Sequence, residues 1–351
     1  MPSTRDPSEY VRSAVRAMRG YTPGEQRAGC LKLNTNESPW PPSPRVAEAV
    51  AHEVDRLPVY PDPLATPLLE AASRRYGVPP ECIIAGNGSD DCLTMLFRAH
   101  LEPGDAVACP SPTYGLYGTL AEIQGAELRP VPYRSDWGLP DLAVVGARLT
   151  LVVQPNNPSG TIAPSDVVRA LAERTDGVVV VDEAYVDFAG DGASLLPYLA
   201  EHPNLVVLRS FSKSFGLAGV RLGLLFAHPS LVTEYRKVKD SYNVDRLALR
   251  AGVAALDDVA HHAEMVRRVT SERARLGRML TDRYGWSFPE PRANFLLCRV
   301  GPSAEHVYRA LADRDILVRF WPKPELREHL RITVGRPADS DRLVAALDVI
   351  I

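Results

Sequence analysis

Short apolar runs alternate with amphipathic stretches along the chain from about residue 46 onward. The runs are Cys82–Ala85, Ala106–Cys109, Leu149–Val153, Val178–Val181, Leu205–Leu208 and Leu222–Ala227. The stretches with helical spacing are Val46–Arg56, Pro67–Tyr76, Asp90–Leu101 and Val167–Glu173. Short apolar segments separated by helices are typical of a mainly parallel sheet whose two faces are covered by helices. The pattern therefore predicts an α/β fold.

The two ends of the chain differ from this middle part. Near the start, Val11–Met18 predicts a short helix, and the prolines that follow, up to Pro44, favour an extended path. Near the end, His262–Tyr284 has the spacing of a long, arginine-rich amphipathic helix. The segments Asn294–Arg299, Ala304–Asp313, Leu317–Phe320 and Leu330–Val334 then predict a small α+β unit. We therefore expect an N-terminal arm that joins the small domain (residues 1–45), a large domain (46–245) and a small C-terminal domain (246–351).

The composition is that of a globular protein and argues against several classes of function. The 351 residues are 45% hydrophobic and 24% charged, which suits two domains with buried cores. A net charge of −3 argues against a dedicated nucleic-acid binder. No apolar run approaches the roughly 18 residues of a membrane span, and the polar start lacks the apolar centre of a signal peptide. The five cysteines form no Cys-x-x-Cys pair, so we expect reduced thiols in a cytoplasmic protein and no metal site.

Lysine is scarce among the basic residues of the chain. Of the 40 lysines and arginines, five are lysines, namely Lys32, Lys213, Lys237, Lys239 and Lys323. Any mechanism that requires a deprotonatable amine therefore has five candidates, because arginine keeps its proton under ordinary conditions.

Polar residues directly follow the apolar runs, at the strand ends where parallel sheets bind their ligands. The first run is followed by Gly86–Asp91, whose glycines and helix start suit a phosphate group. Taken alone, however, this segment is explained by plain N-capping of the helix by Ser89 or Asp90. A nicotinamide site is not indicated, since Gly-x-Gly-x-x-Gly requires a third glycine where Asp91 stands.

The later runs end in groups of another kind. Asp182–Tyr185 follows four valines, and an acid at the end of a buried strand requires a cation or several hydrogen-bond donors. Lys213 follows the next run between two serines, where exclusion of solvent would lower the pKa of its amine, and Arg221 comes eight residues later. Pyridoxal phosphate requires a phosphate site, a neutral amine, a carboxylate beside the ring nitrogen, and donors such as Asn157 for its phenolate oxygen. The combination therefore predicts this cofactor.

The chain resembles the fold-type-I pyridoxal-phosphate aminotransferases, and among them the histidinol-phosphate aminotransferase family, nearly from end to end. The similarity is carried, in order, by Leu33–Glu37, Tyr60–Pro63, Gly86–Asp91, Pro112–Tyr114, Pro155–Gly160, Asp182–Tyr185, Ser210–Lys213 with Arg221, Lys239–Val244 and Leu330–Gly335. The resemblance implies an aspartate-aminotransferase-like fold in which the large domain holds pyridoxal 5'-phosphate on a seven-stranded, mainly parallel sheet. It also implies that the active unit is a homodimer.

The resemblance further implies a role for each matching residue at the cofactor. Lys213 resembles the Schiff-base lysine and general base, and Asp182 resembles the partner of the ring nitrogen. Tyr185 and Asn157 would hydrogen-bond the phenolate oxygen, and Tyr114 would stack on the ring. The phosphate would be held by the backbone N–H groups of Ser89 and Asp90, the hydroxyls of Ser210 and Ser212, and the side chain of Arg221.

Four more residues are implied at the substrate and at the subunit boundary. Arg331 resembles the arginine that binds the anionic end of the substrate, and Asn36 is also expected at the substrate. Arg319 fits a second anion clamp, because forked guanidinium groups bind phosphate and carboxylate alike, although a surface arginine is the alternative. Tyr60 resembles the tyrosine that reaches the cofactor of the neighbouring subunit, with a locally packed turn tyrosine as the alternative. Trp321 stands where the family usually has another aromatic residue, which affects the expected shape of the side-chain pocket.

The resemblance implies transamination between histidinol phosphate and 2-oxoglutarate, giving imidazole acetol phosphate and glutamate in L-histidine biosynthesis. An aromatic amino-acid aminotransferase and a phosphothreonine decarboxylase on the same scaffold are the alternatives. A transcription regulator that senses the cofactor is disfavoured, because the roughly 45 proline-rich residues before the pattern are too few for a winged-helix domain. We therefore expect small-molecule substrates and neither nucleic acid nor membrane as a partner.

Overall fold

A seven-stranded sheet forms the centre of the larger part of the molecule. The computed structural model describes residues 6–351. The strands are β1 Leu31–Lys32, β2 Ile83–Gly86, β3 Ala106–Ser111, β4 Glu127–Pro132, β5 Leu149–Val153, β6 Val178–Asp182, β7 Leu205–Ser210, β8 Gly223–Phe226, β9 Phe295–Arg299, β10 Ile316–Leu317 and β11 His329–Thr333. The sheet has the order β2-β8-β7-β6-β5-β3-β4, in which β8 runs antiparallel to β2 and β7 while the other strand pairs are parallel. This confirms the predicted mainly parallel, seven-stranded sheet.

Helices cover both faces of this sheet, and others belong to the smaller part of the molecule. In chain order, the helices of the described residues are α1 Ser13–Ala17, α2 Pro44–Ala51, α3 Thr66–Tyr76, α4 Ser89–His100, α5 Leu116–Gln124, α6 Ser165–Arg174, α7 Pro229–Val238, α8 Arg246–Asp257, α9 Val259–Tyr284, α10 Ala304–Ala312 and α11 Pro337–Ile350. Strand β6 shows how one apolar run serves two cores, since successive side chains of a strand point to opposite faces. Val179 and Val181 pack into one core, and Val178 and Val180 pack into the other. An unbroken apolar run is therefore the expected pattern for a strand that is buried on both sides.

One edge of the sheet was not predicted from the sequence. Strand β4 lies at the edge beside β3, and most of its residues are exposed or half-buried. It contains Pro130 and Pro132, whose missing N–H groups are tolerated at an edge where no further strand pairs. Because this strand contains polar residues and two prolines, it lacks the apolar run by which the other strands of the sheet are predicted.

The smaller part of the molecule is built from both ends of the chain. Strands β9 and β11 pair antiparallel, and helices α10 and α11 pack beside them around a separate core. The arm contributes β1, in which Leu31 pairs with Ile316 and Lys32 pairs with Leu317 of β10. Strand β10 is shorter than the predicted Leu317–Phe320. The pairing supports the proposal that residues 1–45 join the small domain.

Helix α8 belongs with the large domain by its packing. Its buried residues Ala248, Ala251 and Leu256 lie in the same core as Leu68 of α3. Gly252 permits this contact with α3, because a Cβ atom there would lie 2.8 Å from Cδ1 of Leu68. We therefore propose that the boundary between the domains follows α8, rather than preceding it at residue 245.

Helix α9 is the long arginine-rich helix that the sequence predicts. Met265, Val269 and Leu276 are buried along one side, while Glu264 on another side pairs with arginines one turn away. Among residues 6–351, this and every other helix lacks the continuous apolar length that a membrane crossing requires.

Candidate active site

A cavity of about 430 Å³ lies beyond the carboxyl ends of β5, β6 and β7. Parallel sheets bind ligands at this edge, because loops from neighbouring strands meet there. Its lining includes thirteen of the fourteen residues proposed from the sequence, namely Asn36, Ser89, Asp90, Tyr114, Asn157, Asp182, Tyr185, Ser210, Ser212, Lys213, Arg221, Arg319 and Arg331. The structure therefore brings together residues that are far apart along the chain.

Lys213 enters the cavity from the loop after β7. Its Nζ donates a hydrogen bond to the carbonyl oxygen of Thr35 at 3.2 Å. Burial, with the nearby positive charge of Arg331, lowers the pKa of Lys213 to about 8. The amine is therefore within reach of the neutral form that a nucleophile or general base requires.

Asp182 is the last residue of β6 and is buried at the floor of the cavity. Among the described residues, the Asp182 carboxyl accepts one hydrogen bond, which the Ala184 N–H donates to Oδ1 at 3.0 Å. Burial raises the pKa of Asp182 to about 7, although the Ala184 N–H and Lys213 oppose the shift. A buried carboxyl with so few donors suits a protonated ring nitrogen as its partner.

Two amides from distant segments point at the hydroxyl of Tyr185. Asn36 Nδ2 lies 3.1 Å from this oxygen, and Asn157 Nδ2 lies 3.5 Å from it. Asn36 is itself fixed, since its Oδ1 accepts a hydrogen bond from the Thr333 hydroxyl and its carbonyl oxygen accepts one from Asn294. With both amides as donors, the Tyr185 hydroxyl can give its own proton to a ligand oxygen in the cavity.

The start of α4 and the segment after β7 form a pocket for an anion. Arg221 places Nη2 3.1 Å from Asp90 Oδ2, and Nη1 3.4 Å from the Ser212 hydroxyl oxygen. Gly88, with φ +83°, precedes the helix, and a Cβ atom on it would lie 2.6 Å from Arg221 Nη2. A guanidinium, a hydroxyl and the free N–H groups at Ser89 thus face one point, which is the donor set for a phosphate.

Tyr114 forms one wall of the cavity. Its hydroxyl donates to Asp90 Oδ1 at 3.2 Å. Its ring meets the rings of Tyr21 and Tyr117 edge-on, at centroid distances of 5.8 and 5.7 Å. Burial raises the pKa of Tyr114 above its ordinary value, so this tyrosine offers a neutral aromatic surface.

Two arginines lie together on the side of the cavity that the small domain supplies. The Arg331 guanidinium is buried, donating to Asn157 Oδ1 at 2.6 Å and to the Asn34 carbonyl oxygen at 2.5 Å. Arg319 and Arg331 pair through their backbones, and each guanidinium lies 5.3 Å from the ring centre of Trp321. The indole thus holds two cations side by side, an arrangement that suits a ligand with negative charge.

Sequence reasoning missed several residues that line the cavity. Tyr21 reaches it from the arm, and Thr35 supplies the carbonyl oxygen that receives Lys213. Neither lies in a segment with helix or strand spacing, so the hydrophobic pattern gives no signal for them. Trp321 was noted as a departure from the family pattern, and its role beside the two arginines follows from the structure.

Tyr60 is the one proposed site residue that lies outside the cavity lining of its own chain. It is 74% exposed, and its ring stacks on that of Tyr242 at a centroid distance of 4.5 Å. Arg246 donates to its carbonyl oxygen at 2.8 Å and so fixes the local backbone. Tyr60 is therefore available at the surface of the single chain.

The chemical groups that line the cavity are of the types that pyridoxal phosphate requires. A buried acid with an unusually high pKa, an amine with an unusually low one, a hydroxyl with its proton free and an anion pocket all face the same space. Together with the mainly parallel sheet, they define a pyridoxal-phosphate enzyme of the aminotransferase type.

Comparisons with known proteins lead to the same class. Residues 28–347 match the family model described as aminotransferase class I and II. A histidinol-phosphate aminotransferase of Nostoc sp. is 41% identical, covering 97% of this chain and 98% of that relative. The one of Syntrophotalea carbinolica is 40% identical over 96% and 98% of the two chains. The crystal structure of histidinol-phosphate aminotransferase from Sinorhizobium meliloti in complex with pyridoxal-5'-phosphate has a TM-score of 0.85 and 29% identity, over 91% of this chain and 90% of that one.

The extent of these matches settles the family. The chain belongs to the class I and II aminotransferases and, within them, to the histidinol-phosphate aminotransferase family. The matches with the curated relatives run over nearly the whole of both chains, so the arm and the small domain are included in the similarity.

Proposed function

We propose that the protein transfers an amino group between histidinol phosphate and 2-oxoglutarate in L-histidine biosynthesis in the cytoplasm, with pyridoxal 5'-phosphate as cofactor. The observation that carries this proposal is the pair of guanidinium groups, Arg319 and Arg331, in the same cavity as Lys213 and Asp182. The two substrates differ in their anions, since one has a phosphate and the other has carboxylates. Forked cations bind both kinds of anion, so one cavity serves both half-reactions.

Each part of the cofactor would be bound by cavity groups of matching chemistry. The Ser89 backbone N–H, the hydroxyls of Ser210 and Ser212, and Arg221 would bind its phosphate, with Asp90 orienting Arg221. Tyr114 would lie against its ring, and Asn157 and Tyr185 would donate to its phenolate oxygen. When bound, pyridoxal phosphate supplies an aldehyde that bonds to amines and a ring that withdraws electrons.

Three side chains would then control protons. Asp182 would keep the proton on the ring nitrogen, since a buried carboxylate is stabilised by a charge directly beside it. Lys213 would accept the proton from the substrate carbon that bears the amine, because its lowered pKa leaves Nζ able to be neutral near pH 8. Tyr185, with two amides donating to its oxygen, would direct its hydroxyl proton inward.

We also propose that the active unit is a homodimer in which Tyr60 completes the cavity of the partner subunit. Several apolar side chains that lie close to Tyr60 in the sequence are exposed, as is Tyr242, which stacks on Tyr60; they are Val54, Leu57, Val59, Leu64 and Tyr242. We call this set, with Tyr60, the Tyr60 patch. Exposed apolar side chains favour an interface, and a second copy of the chain would bury them. The resemblance to the family supports the crossing of Tyr60.

The anion clamp can be tested by removing one guanidinium. For Arg319→Ala we expect KM for histidinol phosphate to rise about tenfold to a hundredfold, since a charge-assisted contact worth about 1.5–3 kcal/mol is lost. KM for phenylalanine, which has no phosphate, should change much less. Steady-state kinetics with both amino donors gives the comparison.

Arg327→Ala is the matched control for this variant, because Arg327 lies on the same segment of the small domain but outside the cavity lining. Its kinetics should equal those of the parent. An equal loss on both donors in Arg319→Ala would count against the phosphate clamp and in favour of an aromatic aminotransferase.

A further inference from the structure

A cluster of polar side chains lies beside the loop that carries Lys213 and outside the lining of the cavity. It consists of the buried residues Glu183, Arg209, Ser214 and His262 and the half-buried Asp187, and we call it the Asp187 cluster. Burying several charges together is costly unless they pair closely. Such a cluster therefore suggests a role other than stabilising the fold. The roles proposed above for the reaction use none of its members.

Asp187 is the centre of this cluster. Its Oδ2 accepts a hydrogen bond from the Ser214 hydroxyl at 2.5 Å, and its Oδ1 accepts one from Arg209 Nη1 at 2.8 Å. Arg209 continues to Glu183, with Nε 2.9 Å from Oε2. Burial works against ionisation of Asp187, but Arg209 and His262 outweigh it and lower its pKa well below the ordinary value. The surroundings of Asp187 therefore favour its carboxylate form.

His262 adds a contact from helix α9. Its Nδ1 lies 3.1 Å from Arg75 Nη2. A guanidinium only donates, so Nδ1 is the acceptor in this contact. The other ring nitrogen, Nε2, lies 3.4 Å from Asp187 Oδ2. The imidazole also stacks on Phe215 at a centroid distance of 4.2 Å. The segment Ser214–Phe215, directly after the lysine, is thus fixed by two contacts, Ser214 with Asp187 and Phe215 with His262.

The connectivity joins two parts of the active site. Asp187 lies shortly after the end of β6, in the segment that contains Asp182 and Tyr185. Ser214 is the residue next to Lys213, after the end of β7. One carboxylate therefore links the segment with the ring-nitrogen acid to the backbone that carries the amine.

We propose that Asp187 is a positioning residue. Through the Ser214 hydroxyl, it fixes the position of Lys213 relative to Asp182 and Tyr185. Lys213 must both bond to the cofactor and reach the substrate carbon, and catalysis is sensitive to displacements of about 1 Å or less. The inference rests on the proposed function, since it concerns the placement of the amine that this function uses.

The test removes the hydroxyl that connects the two segments. In Ser214→Ala, we expect kcat to fall about tenfold to a hundredfold with a smaller change in KM. We also expect a shift in the pH midpoint of the visible absorbance of the cofactor-loaded protein. That absorbance reports the proton on the nitrogen that joins Lys213 to the cofactor, and it is measured without substrate.

Ser194→Ala is the matched control. The Ser194 hydroxyl donates to Glu183 at 2.8 Å and accepts from Arg209 at 3.2 Å, so it belongs to the same ion-pair network but has no contact with the lysine segment. Both variants should lower the unfolding temperature of the cofactor-free protein by similar amounts. We expect only Ser214→Ala to move kcat and the absorbance midpoint.

Equal effects of the two variants on kcat and on the absorbance midpoint would overturn the proposal and leave the cluster with a structural role. Should Ser214→Ala fail to fold, Asp187→Ala removes the acceptor instead, and an unchanged midpoint in that variant overturns the proposal. Failure of this proposal can be distinguished from failure of the proposed reaction, because the two are tested by different measurements. The activity of the parent on histidinol phosphate tests the substrate, while the absorbance titration tests the placement of Lys213.

Discussion

Burial shifts the pKa values of two facing groups in opposite directions. The pKa of Asp182 rises to about 7 and that of Lys213 falls to about 8, in both cases chiefly because solvent is excluded. Each shift favours the uncharged form, because ionising either group in the cofactor-free protein costs free energy. A bound ligand can offset this cost. A positive ring nitrogen beside Asp182 would favour its carboxylate, and an aldehyde requires the neutral amine of Lys213.

The shift at Asp182 predicts a dependence of stability on pH. The folded cofactor-free protein keeps this carboxyl protonated up to about pH 7, whereas the unfolded chain ionises it near its ordinary pKa of 3.8. The folded state therefore binds more protons in this window, and the parent loses stability as pH rises from about 4 to about 7. Asp182→Asn lacks the charge, so we expect it to be more stable than the parent above pH 7, by up to roughly 4 kcal/mol.

Urea unfolding of the cofactor-free parent and of Asp182→Asn between pH 4 and pH 8 measures this difference. Comparing the two proteins at each pH cancels the groups that titrate in both. Parallel stability profiles would show that Asp182 ionises normally in the folded protein.

The start of helix α4 shows how an element can serve as a binding group. The helix presents unpaired N–H groups to the cavity, and the loop before it approaches Arg221 so closely that Gly88 has no room for a side chain. The same approach is made from the other side by Gly223 of β8, since a Cβ there would lie 2.5 Å from the Ser89 nitrogen. The backbone itself thus shapes the anion pocket.

For Gly88→Ala we expect weaker binding of pyridoxal phosphate, with a dissociation constant about tenfold higher, because Arg221 must move away and lose one charge-assisted contact. Gly77→Ala is the control, since Gly77 also has a positive φ, of +71°, but a Cβ on it meets no atom within 4 Å. Both variants should lose about 1–2 kcal/mol of stability from backbone strain. Absorbance titration of the cofactor-free proteins gives the affinities, and equal affinities would argue against this role of Arg221.

At the level of the whole molecule, the small domain and the arm close the cavity from one side, and the exposed Tyr60 patch points to a second subunit. Strand β1 of the arm pairs with β10, and the segment that follows places Asn36 against Tyr185. The arm therefore lines the cavity and also pairs with a strand of the smaller part of the molecule. The Tyr60 patch remains free in the single chain of 38.4 kDa, and we expect a dimer of about twice that mass.

The crossing of Tyr60 predicts recovery of activity in mixed dimers. Lys213→Ala and Tyr60→Phe should each impair the enzyme, the first by removing the amine and the second by removing a hydroxyl expected at the cofactor phosphate. A mixed dimer would contain one cavity with both an intact Lys213 and the partner's intact Tyr60. After unfolding and refolding together, equal amounts should regain about one quarter of the parent activity, as random pairing requires.

Each variant refolded alone is the control for this mixture. Activity that stays at the average of the two separate variants would show that Tyr60 does not complete the partner's cavity. Sedimentation of the same samples checks that dimers form.

The hydrophobic pattern along the chain was sufficient to predict six of the seven strands of the central sheet and the polar residues at their ends. Buried parallel strands appear as unbroken apolar runs, and their ends meet at one edge, so Asp182, Lys213 and Arg221 were found together from the sequence. The edge strand β4 was missed because exposure and its two prolines remove that pattern. The assignment of α8 to the large domain also required the structure, since an amphipathic helix does not specify which core receives its apolar side.

By itself, the sequence determined the fold class, the cofactor chemistry and the candidate amine, because these depend on the periods of strands and helices and on residue types next to them. The tertiary structure alone decided which groups meet across the chain. It brought Trp321 against both Arg319 and Arg331, the Asn36 amide within hydrogen-bond distance of Tyr185, and Asp187 into contact with Ser214, next to Lys213. Such contacts join residues far apart in sequence, and their geometry is fixed by the packing of whole elements rather than by any local pattern.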